Sequence, residues 1–214
     1  MPALECQLIP SEEMAPGQIG AIRNRVISFV VAKASKELSI PPEKLVVRDI
    51  RPATDLVLYA GGTTTSTVDR WVYDATTTTN NAFTAISGSA QMGDQRYVAI
   101  FGVRDLRKSL GLHNTALGGS GMTDYISAST ATMNAAQIVS FLKIIVGGAD
   151  KVIWDISSIQ SYGDLVGFSP SPVIIPQNTQ YQIQFQFNTT IAGIRAWLQL
   201  IGVVVEPRGR VLSP

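Results

Sequence analysis

The chain has 214 residues, a net charge of +1, one cysteine and one histidine. The single cysteine, Cys6, excludes an internal disulfide, and the single histidine, His113, excludes metal sites that need two or three histidine ligands. Charged residues make up 15% of the chain, against about 25% in ordinary soluble domains. We therefore expect much of the surface to contact other copies of the chain or other partners.

Residues 1–41 are predicted to form an N-terminal arm and an amphipathic helix. The first 16 residues lack the basic and apolar regions of a signal peptide, so the sequence predicts a protein that is made inside a cell without a Sec export signal. Over residues 16–38 apolar side chains recur at helical spacing, and Pro41-Pro42 ends the helix. We expect residues 1–38 to act outside the β-domain, as an arm that reaches a neighbour.

Two interpretations of this helix remain open. It packs on the β-domain or on a neighbouring subunit, or it is a basic amphipathic helix that faces a membrane or nucleic acid. The second interpretation depends on four cations, Arg23, Arg25, Lys33 and Lys36. The longest apolar stretches have about ten residues, which is too short to span a bilayer.

Residues 42–214 are predicted to form one β-domain. Short strands are indicated at residues 45–50, 55–59, 67–73, 82–87, 96–104, 136–146 and 151–156, with a hairpin-type turn at Gly147-Gly148-Ala149-Asp150. Residues 169–172 (SPSP) are predicted to form an extended linker, and the long irregular section 106–132 to form a partner-contacting loop. Turn signals about every ten residues are typical of an all-β sandwich or barrel.

Two segments near the C-terminus have the clearest strand patterns in the sequence. Residues 180–187 alternate strictly, which indicates a half-buried strand with an uncharged polar face. Residues 194–205 are almost continuously apolar, which suits a strand buried on both faces, and Glu206-Pro207 is expected to end it. We expect the two strands to lie side by side, at the edge and the centre of one sheet. The apolar face of the first strand holds Tyr181, Ile183, Phe185 and Phe187, and its polar face holds Gln180, Gln182, Gln184 and Gln186.

No residue of the sequence is predicted to be catalytic or to bind a metal or cofactor. A Ser-His-Asp triad would need His113, and no serine lies in a G-x-S-x-G motif. The GGSG segment at residues 118–121 lacks the Lys-Ser/Thr pair of a phosphate-binding loop. The sequence therefore predicts a protein that is not an enzyme.

The scattered charges predict neither a glycosidase nor a nucleic-acid-binding face. Paired carboxylates could serve a glycosidase, but the aspartates of this chain lie mostly in turns or beside a cation. The arginines and lysines form a modest basic set without interleaved aromatic residues. The aspartates considered for a glycosidase are Asp69, Asp74, Asp94, Asp105, Asp124, Asp150, Asp155 and Asp164; the cations considered for nucleic acid are Arg48, Arg51, Arg96, Arg104, Arg107 and Lys108.

The C-terminal sequence VIIPQNTQYQIQFQF…AWLQLIGVVVEPRG resembles that of jelly-roll capsid proteins of icosahedral, tailless double-stranded DNA viruses. In those proteins a proline-led polar turn, like Ile175-Pro176-Gln177-Asn178-Thr179 here, often opens one of the last strands, and a long apolar strand closes the sandwich. The resemblance covers residues 40–207 as architecture and carries over no catalytic residues. It implies a single jelly-roll β-sandwich of about eight strands with an N-terminal arm and helix.

The resemblance also implies a function and partners. The expected function is that of a virion structural protein, which is made in the host cytoplasm and self-assembles into a capsid with other copies of itself and other virion proteins. The packaged genome or an internal membrane are further candidate partners of the helix. The alternative is a carbohydrate- or receptor-binding β-sandwich, such as a phage spike or lectin-like module, which would need Trp71, Tyr73 and Trp154 on an exposed concave face. A β-rich hydrolase is disfavoured by the single histidine.

Overall fold

The alternating and the continuously apolar segments both form β-strands in the computed structural model. It describes residues 4–51, 55–56, 72–77, 82–85, 90–105, 123–124, 139–159, 165–187 and 192–210. These residues form thirteen strands and one α-helix, and eight of the strands have five residues or more. The strands are β1 (Leu4–Gln7), β2 (Ile9–Pro10), β3 (Leu45–Asp49), β4 (Val72–Thr77), β5 (Phe83–Ala85), β6 (Ala90–Gln91), β7 (Tyr97–Asp105), β8 (Thr123–Asp124), β9 (Val139–Val146), β10 (Ala149–Asp155), β11 (Val166–Ile175), β12 (Gln180–Phe187) and β13 (Ala192–Pro207); the helix is α1 (Gln18–Leu38).

The strands form two sheets. The six-stranded sheet has the order β1-β10-β9-β12-β5, and β6 also pairs with β12. The seven-stranded sheet has the order β2-β11-β7-β13-β3, and β4 and β8 also pair with β13. Every pairing among the described strands is antiparallel except β1 with β10 and β8 with β13.

The two sheets pack face to face around one hydrophobic core. Leu142, Trp154 and Phe185 of the six-stranded sheet and Val98 and Val204 of the seven-stranded sheet belong to the same cluster of buried side chains. This arrangement confirms the predicted all-β sandwich.

Strand β12 has the predicted orientation. Tyr181, Ile183 and Phe185 are at most 3% exposed and lie in the core, whereas the glutamines between them are half-buried on the outer face of the sheet. The side chain of Phe187 lies outside the described residues. The expected pairing of this strand with the last apolar strand is wrong, because β12 lies between β9 and β5/β6, while β13 is in the other sheet.

Helix α1 packs on the outer face of the seven-stranded sheet. It ends where Ser39 adopts φ 55°, immediately before Ile40 and the two prolines. Val26, Val30 and Ala34 recur at every fourth residue and are buried, as is expected for the inward stripe of a helix. They share a second hydrophobic cluster with residues of β7 and β13, namely Tyr97, Ala99, Phe101, Val203 and Val205.

This packing corrects the expectation that residues 1–38 act outside the sandwich. Where the structure describes that segment, β1 extends the six-stranded sheet, β2 extends the seven-stranded sheet, and α1 covers the outer face of the latter. The first of the two interpretations of the helix, packing on the β-domain, is therefore the observed one. The boundary between residues 1–41 and 42–214 as separate domains stays a prediction.

A second correction concerns residues 169–172, which belong to strand β11 and not to a linker. The register of β11 against β7 shifts between Phe168 and Val173, and this irregularity accommodates two prolines that cannot donate ladder hydrogen bonds. The buried Ser169 hydroxyl donates to the backbone oxygen of Ser171 at 2.9 Å. Of the predicted loop 106–132, only β8 is described.

Candidate contact surfaces and a buried ionic cluster

Four charged side chains meet at one end of the sandwich interior. Arg48 lies on β3, Glu206 on β13, Arg96 immediately before β7, and Asp55 a few residues after β3. Glu206 has the same inward orientation as Val204, because side chains two residues apart in a strand share a face. Arg48 has this orientation too, because it lies directly opposite Val204 in the pairing of β3 with β13. Three distant parts of the chain therefore bring two cations and two carboxylates together.

Arg48 is the centre of this ionic cluster. Its Nη1 and Nη2 atoms donate to the two Asp55 carboxylate oxygens at 2.6 and 2.7 Å, and its Nε donates to Glu206 Oε1 at 2.8 Å. Arg96 completes the ring, with Nε 3.1 Å from Glu206 Oε2 and Nη1 3.3 Å from Asp55 Oδ1. The hydrogen bonds from Arg48 to Asp55 are the main cause that raises the pKa of the Arg48 guanidinium, and burial opposes them.

Both carboxylates of the cluster are buried and paired with cations. The side chains of Asp55 and Glu206 are 0% and 2% exposed, and both carboxylates are occupied by arginines. Asp55 Oδ2 also accepts from the backbone N–H of Arg51 at 2.7 Å. Buried charges are tolerated when they are paired and hydrogen-bonded, and here the two positive and two negative charges balance.

The sequence patterns do not predict this ionic cluster, because its members lie up to 158 positions apart in the chain. A signal is nevertheless present in the sequence. Glu206 follows three valines and has the inward parity of Val204, and Arg48 likewise interrupts an apolar strand. A charge at a predicted core position indicates a buried partner.

The residues weighed for catalysis and sugar binding do not form a site in the described chain. His113, Asp69, Asp164 and Trp71 lie outside the described residues, as do the side chains of Tyr73, Asp74, Asp105 and Asp124. Asp94 and Asp150 are exposed. Trp154 is 0% exposed in the core, so it does not provide the exposed aromatic platform that the carbohydrate-binding alternative expects.

Helix α1 is fixed to the sheet by a polar contact as well as by its apolar stripe. The Tyr97 hydroxyl donates to Glu37 Oε2 at 2.7 Å, and Lys33 donates to Glu37 Oε1. Both hydrogen bonds lower the pKa of Glu37, the one from Lys33 having the larger effect and the one from Tyr97 the smaller. Burial is the main cause that raises the pKa of Tyr97, and the bond to Glu37 adds to it. The tyrosine therefore stays a neutral donor.

The outward side of α1 presents one large exposed aromatic residue. Phe29 is 59% exposed and borders a groove of about 340 Å³ between the helix and β11. Pro170 and Pro172 form the opposite wall of this groove, and Arg25 lies at its rim.

The outer face of the six-stranded sheet is a second candidate contact surface. In the part of the chain that the structure describes, no helix packs on it. Gln184 lies opposite Lys143 on one side and Ala85 on the other, and its Nε2 donates to Gln182 Oε1 at 2.8 Å. The half-buried side chains of this face, here called the glutamine face, are those of Phe83, Ala85, Phe141, Lys143, Ile145, Ile153, Asp155, Gln182, Gln184 and Gln186.

Three charged side chains of the described residues lie on or beside the glutamine face: one lysine in its middle and two aspartates. The ammonium group of Lys143 lies 4.4 Å from the centre of the Phe83 ring and 3.7 Å from Asp150 Oδ2. Asp155 lies at the end of the face, where its Oδ1 accepts from the backbone N–H of Ser157 at 2.9 Å.

Neither a metal site nor a membrane span is present in the described parts. No group of three or more His, Cys, Asp and Glu side chains there could hold a metal ion. The described helix is not long and apolar enough to cross a membrane. No family model matches this chain, and no curated protein matches its sequence.

Proposed function

We propose that this chain is a virion structural protein, a single jelly-roll subunit that assembles into a viral capsid through contacts between subunits and has no enzymatic activity. The observation that carries this proposal is the nesting of the strand pairs. A jelly roll has eight strands in two sheets and two Greek keys. It is equivalent to a long antiparallel hairpin that has been rolled up, so its first strand pairs with its last, its second with its seventh, and so on inward.

The strand pairs of the chain follow this nested order when β5 and β6 are taken as one strand, since both pair with β12. The outermost pair is β3 with β13, and the next is β5 with β12. Within them β7 pairs with β11, and β9 pairs with β10 as the innermost hairpin. Pairing of β13 with β7 and of β12 with β9 joins these pairs into two sheets. This nesting favours a jelly roll over other antiparallel sandwiches.

Surface chemistry supports an assembly function. The low charged fraction, 15% of the chain, agrees with interfaces whose cores are depleted in charge. The glutamine face and the exposed Phe29 provide two outward surfaces suited to contact with protein. The partners that we propose are other copies of the chain and other virion proteins, with the packaged genome or an internal membrane as further candidates near α1.

Assembly of the purified protein tests the proposal. We expect size-exclusion chromatography with light scattering to show capsomers or particles, and negative-stain micrographs to show closed shells of uniform diameter. The Gly202→Ala chain is the control for non-specific aggregation. A Cβ at Gly202 would lie 2.3 Å from the backbone oxygen of Ala99, so this chain should give irregular aggregates or monomers. A wild-type protein that stays a monomer or small oligomer, and that binds a sugar, would support the carbohydrate-binding alternative instead.

A further inference from the structure

We infer that the glutamine face is a homotypic contact surface, at which a second copy of this chain packs with its own glutamine face. The inference deepens the proposed function and rests on it for its biological meaning. The structure leaves the two outer sides of the sandwich unequal. Helix α1 covers the seven-stranded sheet with its own apolar stripe, whereas no described helix or strand covers the glutamine face.

The chemistry of the glutamine face favours contact with a second copy of this chain over contact with a strongly charged partner. An amide side chain carries both donors and acceptors, so a row of glutamines can hydrogen-bond an identical row. Like charges repel across a contact between identical faces; the one cation in the middle of this face, Lys143, is balanced by Asp150, and Asp155 lies at the end of the face, away from the glutamines. Half-buried Phe141, Ile145 and Ile153 lie beside the glutamines, and they supply apolar area without any charge.

The size of the face predicts a weak contact. Four strands about 4.8 Å apart, with about seven residues of 3.3 Å each, span roughly 440 Å². Two copies would bury about 900 Å² in all, which is below the roughly 1,200–2,000 Å² of stable interfaces. A single pair should therefore form only at high concentration, and the contact becomes effective where an assembly repeats it many times.

Charge substitution tests this surface. The chain with Gln182→Lys and Gln184→Lys places four new positive charges in a two-fold contact, because each substitution enters twice. The matched control is Ser28→Lys with Ala32→Lys, which adds the same charge at exposed positions of α1. We expect sedimentation equilibrium to show at least tenfold weaker self-association for the first chain and wild-type association for the second. Equal unfolding midpoints of all three proteins would exclude a folding defect.

Several outcomes would overturn the inference, and they differ from failure of the proposed function. Unchanged association of the Gln182→Lys/Gln184→Lys chain, or loss of association in the helix control alone, overturns the contact surface even if wild-type protein forms particles. Wild-type dimers that depend on the glutamine face but never form particles would support the contact surface and contradict the capsid function. A monomeric wild-type protein that is retained on dextran, with retention abolished by Gln182→Lys, would assign the face to carbohydrate.

Discussion

Arg48 and Asp55 form a bidentate ion pair, in which two guanidinium nitrogens lie 2.6 and 2.7 Å from the two carboxylate oxygens. The Asp55 side chain is 0% exposed, so these bonds, together with those from Arg51 and Arg96, take the place of water around its carboxylate. Through the same guanidinium, Arg48 also holds Glu206. One side chain thus ties the segment after β3 to the end of β13.

Replacing Arg48 by methionine should therefore destabilise the chain strongly. The change keeps an unbranched apolar stem but removes the guanidinium, which leaves two buried carboxylates with Arg96 as their remaining cation; breaking a buried pair in this way costs about 3–5 kcal/mol. The free energy of unfolding, from urea titration, measures the loss. The control is Arg23→Ala, which removes an ion pair whose side chains are 46% and 79% exposed and should cost about 1 kcal/mol or less. Equal losses in the two proteins would contradict the structural role of the cluster.

The contact between Glu37 and its two donors predicts an acid-dependent contribution to stability. Its pKa is lowered from the ordinary 4.5, so the folded state favours the carboxylate. The contribution is complete above the ordinary pKa and is lost as the pH falls through the lowered folded-state pKa. The difference in unfolding free energy between wild type and Glu37→Gln should be constant near neutral pH and shrink below about pH 4.5. A difference that stays constant to pH 3, or grows on acidification, would exclude this linkage.

Gly202 should tolerate no side chain. A Cβ there would lie 2.3 Å from the backbone oxygen of Ala99 and 2.4 Å from Ile50 Cδ1, so Gly202→Ala forces β13 away from β7. Overpacking of this kind costs about 1–3 kcal/mol or more. Gly93→Ala is the matched control, because nothing lies within 4 Å of its Cβ position. Thermal unfolding followed by circular dichroism should show a lower midpoint for the first protein alone; matching midpoints would mean that the strands separate more easily than the structure indicates.

A chain that begins at Pro42 should fail to fold cooperatively. Without α1, the residues Tyr97, Phe101, Val203 and Val205 lose the cover that keeps each of them at most 2% exposed. Burial of such a side chain contributes about 1.5–3 kcal/mol, so their joint exposure approaches the whole stability of a domain, roughly 5–15 kcal/mol. Far-ultraviolet circular dichroism and a thermal melt measure the result. A shortened chain with wild-type β-structure and a cooperative melt would show that α1 is an accessory to the sandwich.

The sequence predicts correctly those strands, turns and helix ends that are determined by residues close together in the chain. The alternation of β12 fixes which side chains point inward, since a period of two leaves no other choice for a strand with one buried face. The hairpin-type turn predicted at Gly147-Gly148-Ala149-Asp150 is present but shorter, because β10 already begins at Ala149. Gly147 and Gly148 both have positive φ, 62° and 75°, which a two-residue hairpin turn of this kind requires. The helix ends as predicted because proline cannot continue it.

The features that were missed depend on contacts between distant residues. The two prolines at residues 169–172 predict a linker because prolines disfavour strands, but the irregular register against β7 admits them. The proline pair that separates the helix from the strands in the sequence predicts a helix outside the β-domain, although Val26 and Val30 are buried against strands far along the chain. The ionic cluster depends on which strands are neighbours, and no periodicity of one segment carries that information.

The nested pairing of the strands has a consequence for the order in which the protein can fold during synthesis. Strand β13 lies between β3 and β7 in the seven-stranded sheet, yet more than 140 residues separate it from β3 in the sequence. Among the described strands β13 is the only neighbour of β3, so β3 stays unpaired until β13 has been translated, and non-local pairings of this kind are slow to form. The sandwich can therefore close only after β13 has left the ribosome. A nascent chain would hold unpaired strand edges until then, which makes this interval the one in which a chaperone matters most.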